Sequence, residues 1–126
     1  MSWQAYIDSN LVGAGLAQAM IIDNKAGGTW ATSAGFALKP NEATKIVQNF
    51  ADPSKFTAEG TVLGGKKYMT LKADNRSVYA KLGAGGAVLV KTGQAILIGL
   101  YDDKLQPGAA SQIVEKLGDY LVENNY

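Results

Sequence analysis

The second half of this chain constrains its fold most. From Gly60 to Tyr101, short β-rich runs alternate with turn signals. Thr61–Leu63 is followed by Gly64-Gly65, Lys67–Lys72 by Ala73-Asp-Asn75, and Ser77–Leu82 by Gly83-Ala-Gly-Gly86. Ala87–Val90 is followed by Lys91-Thr-Gly93, which leads into Gln94–Tyr101. Connections this short leave no room for crossover helices, so consecutive runs must pair antiparallel, as a β-meander.

The first half supplies the rest of the fold. Ser2 is placed to cap a short helix carrying Trp3, Tyr6, Ile7 and Leu11 at near-helical spacing, with Gly13 and Gly15 ending it. Ala19–Asp23 and Thr29–Ser33 flank the turn Asn24–Gly28 and read as a hairpin. Pro40 suits the first turn of a helix with the apolar stripe Ala43, Ile46, Val47 and Phe50. Asp52-Pro53 reads as a cap and first position of one further turn ending near Phe56. Pro107 and Gly108 open a last helix whose buried stripe is Ala110, Ile113, Val114, Leu117 and Leu121. The order helix, hairpin, helix, meander, helix predicts an α+β fold: one antiparallel sheet of about six to seven strands with helices on its faces. At 126 residues, a single domain spanning 1–126 is expected.

Composition narrows the chemistry. Cys and His are both absent, which removes disulfides, thiolate metal sites, a Cys nucleophile and the commonest general base and metal ligand. Gly83-Ala-Gly-Gly-Ala-Val88 begins like a dinucleotide fingerprint but joins strands and has Val88 where the last glycine belongs. Lys91-Thr92 lacks the preceding glycine of a phosphate loop, its place being taken by Val90. Asp102-Asp103 has too few neighbouring oxygens for a hard cation. No enzyme, metal or cofactor is expected. A net charge of +1 argues against nucleic acid. The polar residues in Met1–Leu11 argue against a secretory leader.

Two patterns suit binding. Trp3 and Tyr6 on the first helix, Trp30 in a strand, and Tyr120 and Tyr126 near the other end could converge, because chain ends are often close in a compact domain. An aromatic groove of this kind suits a polyproline II ligand, whose rings stack on flat side chains and whose free carbonyls accept from indole and phenol donors. The alternative is that these rings pack into the core. Tyr126 resists that alternative, since a terminal residue is normally frayed. The second pattern is charge: between Thr61 and Leu100 the basic residues Lys66, Lys67, Lys72, Arg76, Lys81 and Lys91 face a single acid, Asp74. An acidic protein surface or anionic headgroups would suit such a face; a solvated surface with edge-protecting lysines is the plain alternative. In Lys67–Lys72 both faces mix apolar and polar groups, so one should present apolar atoms outward.

Ser2-Trp-Gln-Ala-Tyr-Ile-Asp8 resembles the N-terminal signature of profilins. Trp30-Ala-Thr-Ser-Ala-Gly35 and Gly65-Lys-Lys-Tyr-Met69 resemble the family's second and fourth strands. Asp74–Tyr79, Val90–Gln94, Pro107-Gly108, Asp119-Tyr-Leu121 and Tyr126 fit the remainder in order, at a length close to the shorter amoebal, fungal and plant members. The resemblance implies that the terminal helices lie together on one face of the sheet, with the short helices opposite. It implies a poly-proline groove at Trp3, Tyr6, Trp30, Tyr120 and Tyr126. It implies an actin surface at Ala58, Lys67, Met69, Leu71, Lys72, Arg76, Lys81, Leu105, Gln106, Gly108, Ser111, Gln112 and Lys116, the last acidic in some relatives. It also implies phosphoinositide binding, for which Lys66, Lys67, Lys72, Arg76, Lys81 and Lys91 are the candidates. The function so implied is a monomeric cytoplasmic adaptor of the cytoskeleton. It would bind actin monomers, speed their nucleotide exchange and recruit them to proline-rich proteins such as formins. Other readings are a small-ligand sensor domain, for which interior polar anchors are missing; a small hydrolase, disfavoured without His and Cys; and a profilin that keeps the peptide groove but not actin.

Overall fold

A computed structural model describes residues 2–126. Seven strands form one antiparallel sheet in the order β2-β1-β7-β6-β5-β4-β3. They are β1 (Gln18–Asp23), β2 (Thr29–Thr32), β3 (Thr61–Leu63), β4 (Lys66–Ala73), β5 (Ser77–Leu82), β6 (Gly85–Lys91) and β7 (Ala95–Tyr101). The meander runs without interruption from β3 to β7, and β1 closes on β7 with Met20 opposite Ile98.

Two apolar cores flank the sheet. Alternate residues of the central strands serve one or the other: Ile21, Val88, Val90 and Leu97 face the first, and Ile22, Leu89, Ile96 and Ile98 the second. Strands buried on both faces need no polar positions, which is why β1, β6 and β7 read as nearly continuous apolar runs.

The first core is covered by the terminal helices. The N-terminal helix starts as an α-helical turn, α1 (Trp3–Ala5), capped by the Ser2 hydroxyl, which accepts from the Ala5 N–H at 3.1 Å. It widens into a π-helical stretch over Tyr6–Leu11, where the Val12 N–H donates to the Ile7 carbonyl five residues back, and closes in a 3₁₀ turn at Val12–Ala14. Such widened turns recur at functional sites. The C-terminal helix α4 (Pro107–Glu123) has Pro107 in its first turn and buries Ala110, Val114, Leu117 and Leu121; Ile113 is only partly buried. Gly99 of β7 lets this layer approach closely, since a Cβ there would lie 2.8 Å from Leu16 Cδ1 and 2.9 Å from Val114 Cγ2.

The second core is covered by α2 (Glu42–Ala51) and α3 (Ser54–Glu59), through Ile46, Phe50 and Phe56. Here the sequence expectation shifts. Pro40 lies ahead of α2 rather than in its first turn, because Asn41, in a left-handed conformation (φ 75°), occupies the cap position. The turn after Asp52 runs on to Glu59, with Pro53 at its cap. Glu42 fixes this region: its carboxylate accepts from the Lys39 N–H at 2.8 Å, the Gly64 N–H at 2.7 Å and the Gly65 N–H at 2.8 Å. One side chain thereby holds the start of α2 to the β3–β4 turn. Charge-assisted bonds are individually strong, and part of this cluster is exposed. Glu42→Ala is therefore expected to cost about 1.5 kcal/mol, read as a lowered urea midpoint. An unchanged midpoint would mean water replaces the carboxylate without loss.

Candidate functional site

The two chain ends meet on the first-core face beside β2. Trp3 lies between three rings: its centroid is 4.8 Å from that of Trp30, 5.6 Å from Tyr126 and 5.7 Å from Tyr6. Tyr6 in turn meets Tyr120 edge-on at 6.2 Å. The five rings named from the sequence thus form one cluster, neither wholly core nor wholly surface. Tyr6 is buried, and burial followed by the neighbouring Tyr120 raises its phenol above the ordinary tyrosine value. Trp30, Tyr120 and Tyr126 are 37%, 49% and 43% exposed. Trp3, Tyr6, Tyr120 and Tyr126 line an opening of about 270 Å³ together with Asn124. Asn124 carries no sequence signal, since an Asn at a helix end reads as a cap; its side chain does donate to the Tyr120 carbonyl at 2.8 Å.

Tyr126 is not frayed. Its N–H donates to the Leu121 carbonyl at 2.8 Å, and its carbonyl accepts from the Gln94 N–H and, at 2.9 Å, from the Thr92 hydroxyl. Gln94 also donates from its side chain to the Asn125 carbonyl at 3.2 Å. The β6–β7 turn therefore anchors the last residue and presents its ring to Trp3.

A second surface follows from how far the terminal helices reach. α4 packs on β6 and β7 and reaches only the Ser77–Tyr79 end of β5, leaving the same face of β4 and the Lys81 end of β5 largely bare. Met69 and Leu71 are 62% and 57% exposed there. Met69 sits opposite Lys81, and Lys72 opposite Tyr79 after an irregularity between Thr70 and Lys72. That shift keeps Met69 and Lys72 on one face, with Lys72 Nζ 5.1 Å from the Tyr79 ring centre. Tyr68 points the other way and is buried, so β4 does present apolar atoms outward.

Other residues named from the sequence border this surface. Ala58 and Lys67 line a shallow depression with Met69. Gly108, Ser111 and Gln112 fall on the flank of α4 that carries Glu115. Leu105 and Gln106 precede α4, and Leu105 packs on the first core. Lys116, one helical turn on from Gln112, continues that flank and also lines a cleft with Ser9, Asn10, Ile113 and Tyr120, against the N-terminal helix. Arg76 is paired internally, reaching Asp119 at 2.6 Å and Glu115 at 3.4 Å. Lys72 lies 3.8 Å from Asp74, whose carboxyl is held below its usual range chiefly by the Ser77 and Arg76 backbone N–H groups. Among the described residues, Lys66, Lys67, Lys81 and Lys91 form no ion pair.

Glu115 joins α4 to this sheet region, accepting from the Ser77 hydroxyl at 2.8 Å and the Tyr79 hydroxyl at 2.5 Å. Burial first, then the bond to Glu115 and its charge, push the Tyr79 phenol up to about 12. A raised pKa means that the fold favours the protonated phenol. That contribution is intact below pH ~10, the unfolded value, and is lost as pH rises towards about 12. Tyr79→Phe is therefore expected to flatten the fall of stability between those limits, measured by urea unfolding across pH. An equally steep fall in the variant would assign the effect to Tyr6, Tyr68 and Tyr101, whose phenols are also raised.

The comparisons agree with this geometry along the full chain. The Profilin family model matches residues 1–126. Profilin-1 of Dictyostelium discoideum is 52% identical over 126 residues, covering 100% of both chains. The crystal structure of Acanthamoeba castellanii profilin II superposes with a TM-score of 0.94 at 49% identity, covering 99% of this chain and 100% of that one. Mouse profilin IIa, solved in complex with a double repeat from the FH1 domain of mDia1, shares the fold at a TM-score of 0.79 and 19% identity, with 100% of both chains covered. With terminal helices on one face of a seven-stranded sheet, rings joining the two chain ends and full-length matches of this strength, the chain belongs to the profilin family.

Proposed function

We propose that this protein is an adaptor that holds an actin monomer on the bare β4–β5 face and a proline-rich segment in the aromatic groove. The separation of the two surfaces carries the proposal. Trp30 lies on β2 and Met69 on β4, five strand positions apart in the sheet order. At ~4.8 Å per strand this is about 24 Å, enough for both partners to bind at once. The actin side uses Met69, Leu71, Lys67, Lys72 and Lys81, with Ala58 and the start of α4 at its borders. Apolar centres with basic surroundings suit a protein partner with acidic edges. Arg76, already neutralised by Glu115 and Asp119, acts here by fixing α4 to β5. Lys116, one turn on from Gln112, is the border of this surface nearest the N-terminal helix.

Bound actin would exchange nucleotide faster if this face binds the more open actin state more tightly, a population shift rather than covalent chemistry. Lys66, Lys67, Lys81 and Lys91 are the charges free to meet phosphoinositide headgroups. Among the described residues no helix is long and apolar enough to cross a membrane. A cytoplasmic site of action is part of the proposal.

Titration with poly-L-proline, followed by intrinsic tryptophan fluorescence, tests the groove, because Trp3 and Trp30 both belong to it. A saturable change is expected, and it should persist when actin monomers are already bound. No change would remove the peptide half of the proposal. Mutual exclusion of peptide and actin would remove the adaptor mechanism.

A further inference from the structure

A cavity of about 220 Å³ lies on the opposite face of the sheet, between α2, α3 and β3. Pro40, Ile46, Phe56 and Val62 form apolar walls. Asn49 also lines it and is only 5% exposed. A buried carboxamide ordinarily finds partners, because leaving it without them is costly. Among the described residues the Asn49 side chain has no protein partner; its polar atoms keep solvent access, through the recess that the residue lines, and are available to a ligand there. At the rim, Lys45 and Glu59 neutralise one another at 2.8 Å. The adjoining residue Asn41 is held in the left-handed conformation at φ 75°, a backbone state that non-glycine residues adopt at some cost.

From this arrangement we infer a small-molecule site, independent of the peptide groove, that takes a neutral, flat heterocycle of one or two rings with a hydrogen-bond donor beside an acceptor on one edge. Each element of that description has a cause. An engineered apolar cavity of roughly 150 Å³ holds benzene, so a recess of about 220 Å³ admits a slightly larger ring system. Glu42 also lines the recess, with its carboxylate held by the Lys39, Gly64 and Gly65 N–H groups, so among the described residues the lining disfavours an anionic ligand and leaves no free cation to attract one. The Asn49 amide offers an acceptor oxygen and donor nitrogen side by side. Its complement is an edge such as the amino group and ring nitrogen of adenine, the pairing Asn makes with that base elsewhere. Phe56 and Ile46 supply the apolar contact for the ring faces.

Adenine is the probe and purine, which lacks the exocyclic amino donor, its control, both used as the 9-methyl derivatives so that neither keeps an N9–H donor beside N3. Both are titrated into the ¹⁵N-labelled protein and followed by amide chemical shifts. Adenine is expected to give saturable shifts centred on Lys45, Asn49, Phe56 and Val62, including the Asn49 side-chain NH₂, and purine to bind at least fivefold more weakly. Asn49→Leu should lower adenine affinity at least fivefold and purine affinity by less, because purine loses one hydrogen bond to Asn49 where adenine loses two. Poly-L-proline should not displace adenine, so failure here and failure of the groove are read separately. Equal binding of the two bases, shifts spread over the surface, or no shift up to the solubility limit of adenine would overturn the site. The comparison of the two bases on the unaltered protein stands even if the variant does not fold.

Discussion

Trp3→Ala is expected to weaken poly-L-proline binding at least about thirtyfold while leaving actin binding unchanged. Thirtyfold corresponds to ~2 kcal/mol, the loss characteristic of a buried aromatic anchor at the centre of an interface. Trp3 is such a centre, since its ring meets Trp30, Tyr126 and Tyr6 within 5.7 Å. Truncating it removes one stacking surface and also the support that fixes two exposed neighbours. The stability cost should be smaller, because Trp3 is only partly buried and packs on the edge of the first core rather than within it. Actin affinity is the control. The bare face of β4 and β5 shares no residue with the groove, so a joint loss of both activities would point to a disturbed fold. Retained poly-proline affinity would mean that the groove is not where these rings are.

The residues that were legible in the sequence are those whose periodicity has one cause. The meander could be read because its turns recur faster than a helix could intervene, and β5 falls on Ser77–Leu82 as expected. The aromatic cluster was legible as residue types at the two chain ends, although the sequence left core and surface open; the rings prove to be partly both. Two features were not legible, each because it depends on distance in space. Arg76 reads as free charge until α4 brings Asp119 and Glu115 to it across 43 and 39 residues. Asn49 sits between apolar stripe positions of α2, so nothing in the pattern marks it as an interior polar anchor, the very element whose absence from the sequence argued against a ligand cavity. The start of α2 shifted for a local reason: Asn tolerates the left-handed conformation better than most residues, and Asn41 takes the cap ahead of which Pro40 then lies.

Tyr126 is where the sequence argument and the geometry diverge most, and a pair of variants separates its two roles. Tyr126→Ala keeps the main-chain bonds to Leu121, Gln94 and Thr92 and removes only the ring beside Trp3. It is expected to weaken poly-L-proline about fivefold to tenfold with a small change in melting temperature, since the ring is 43% exposed. Deleting the residue removes those bonds as well. Thr92 is only 5% exposed, so its hydroxyl loses a partner in a place that water reaches poorly. The expected loss is about 2–3 kcal/mol of stability, with the end of α4 and the β6–β7 turn gaining amide exchange together. If deletion cost no more stability than the alanine change, the contacts with Gln94 and Thr92 would be too weak to order the end of the chain. The ring would then have to be held by Trp3 alone. A deletion that melts early yet binds poly-L-proline as well as Tyr126→Ala would assign the backbone clamp to stability and the phenol to recognition. That division is what the hydrogen bonds imply: the turn between β6 and β7 holds the main chain, which leaves the ring free to stack on a ligand.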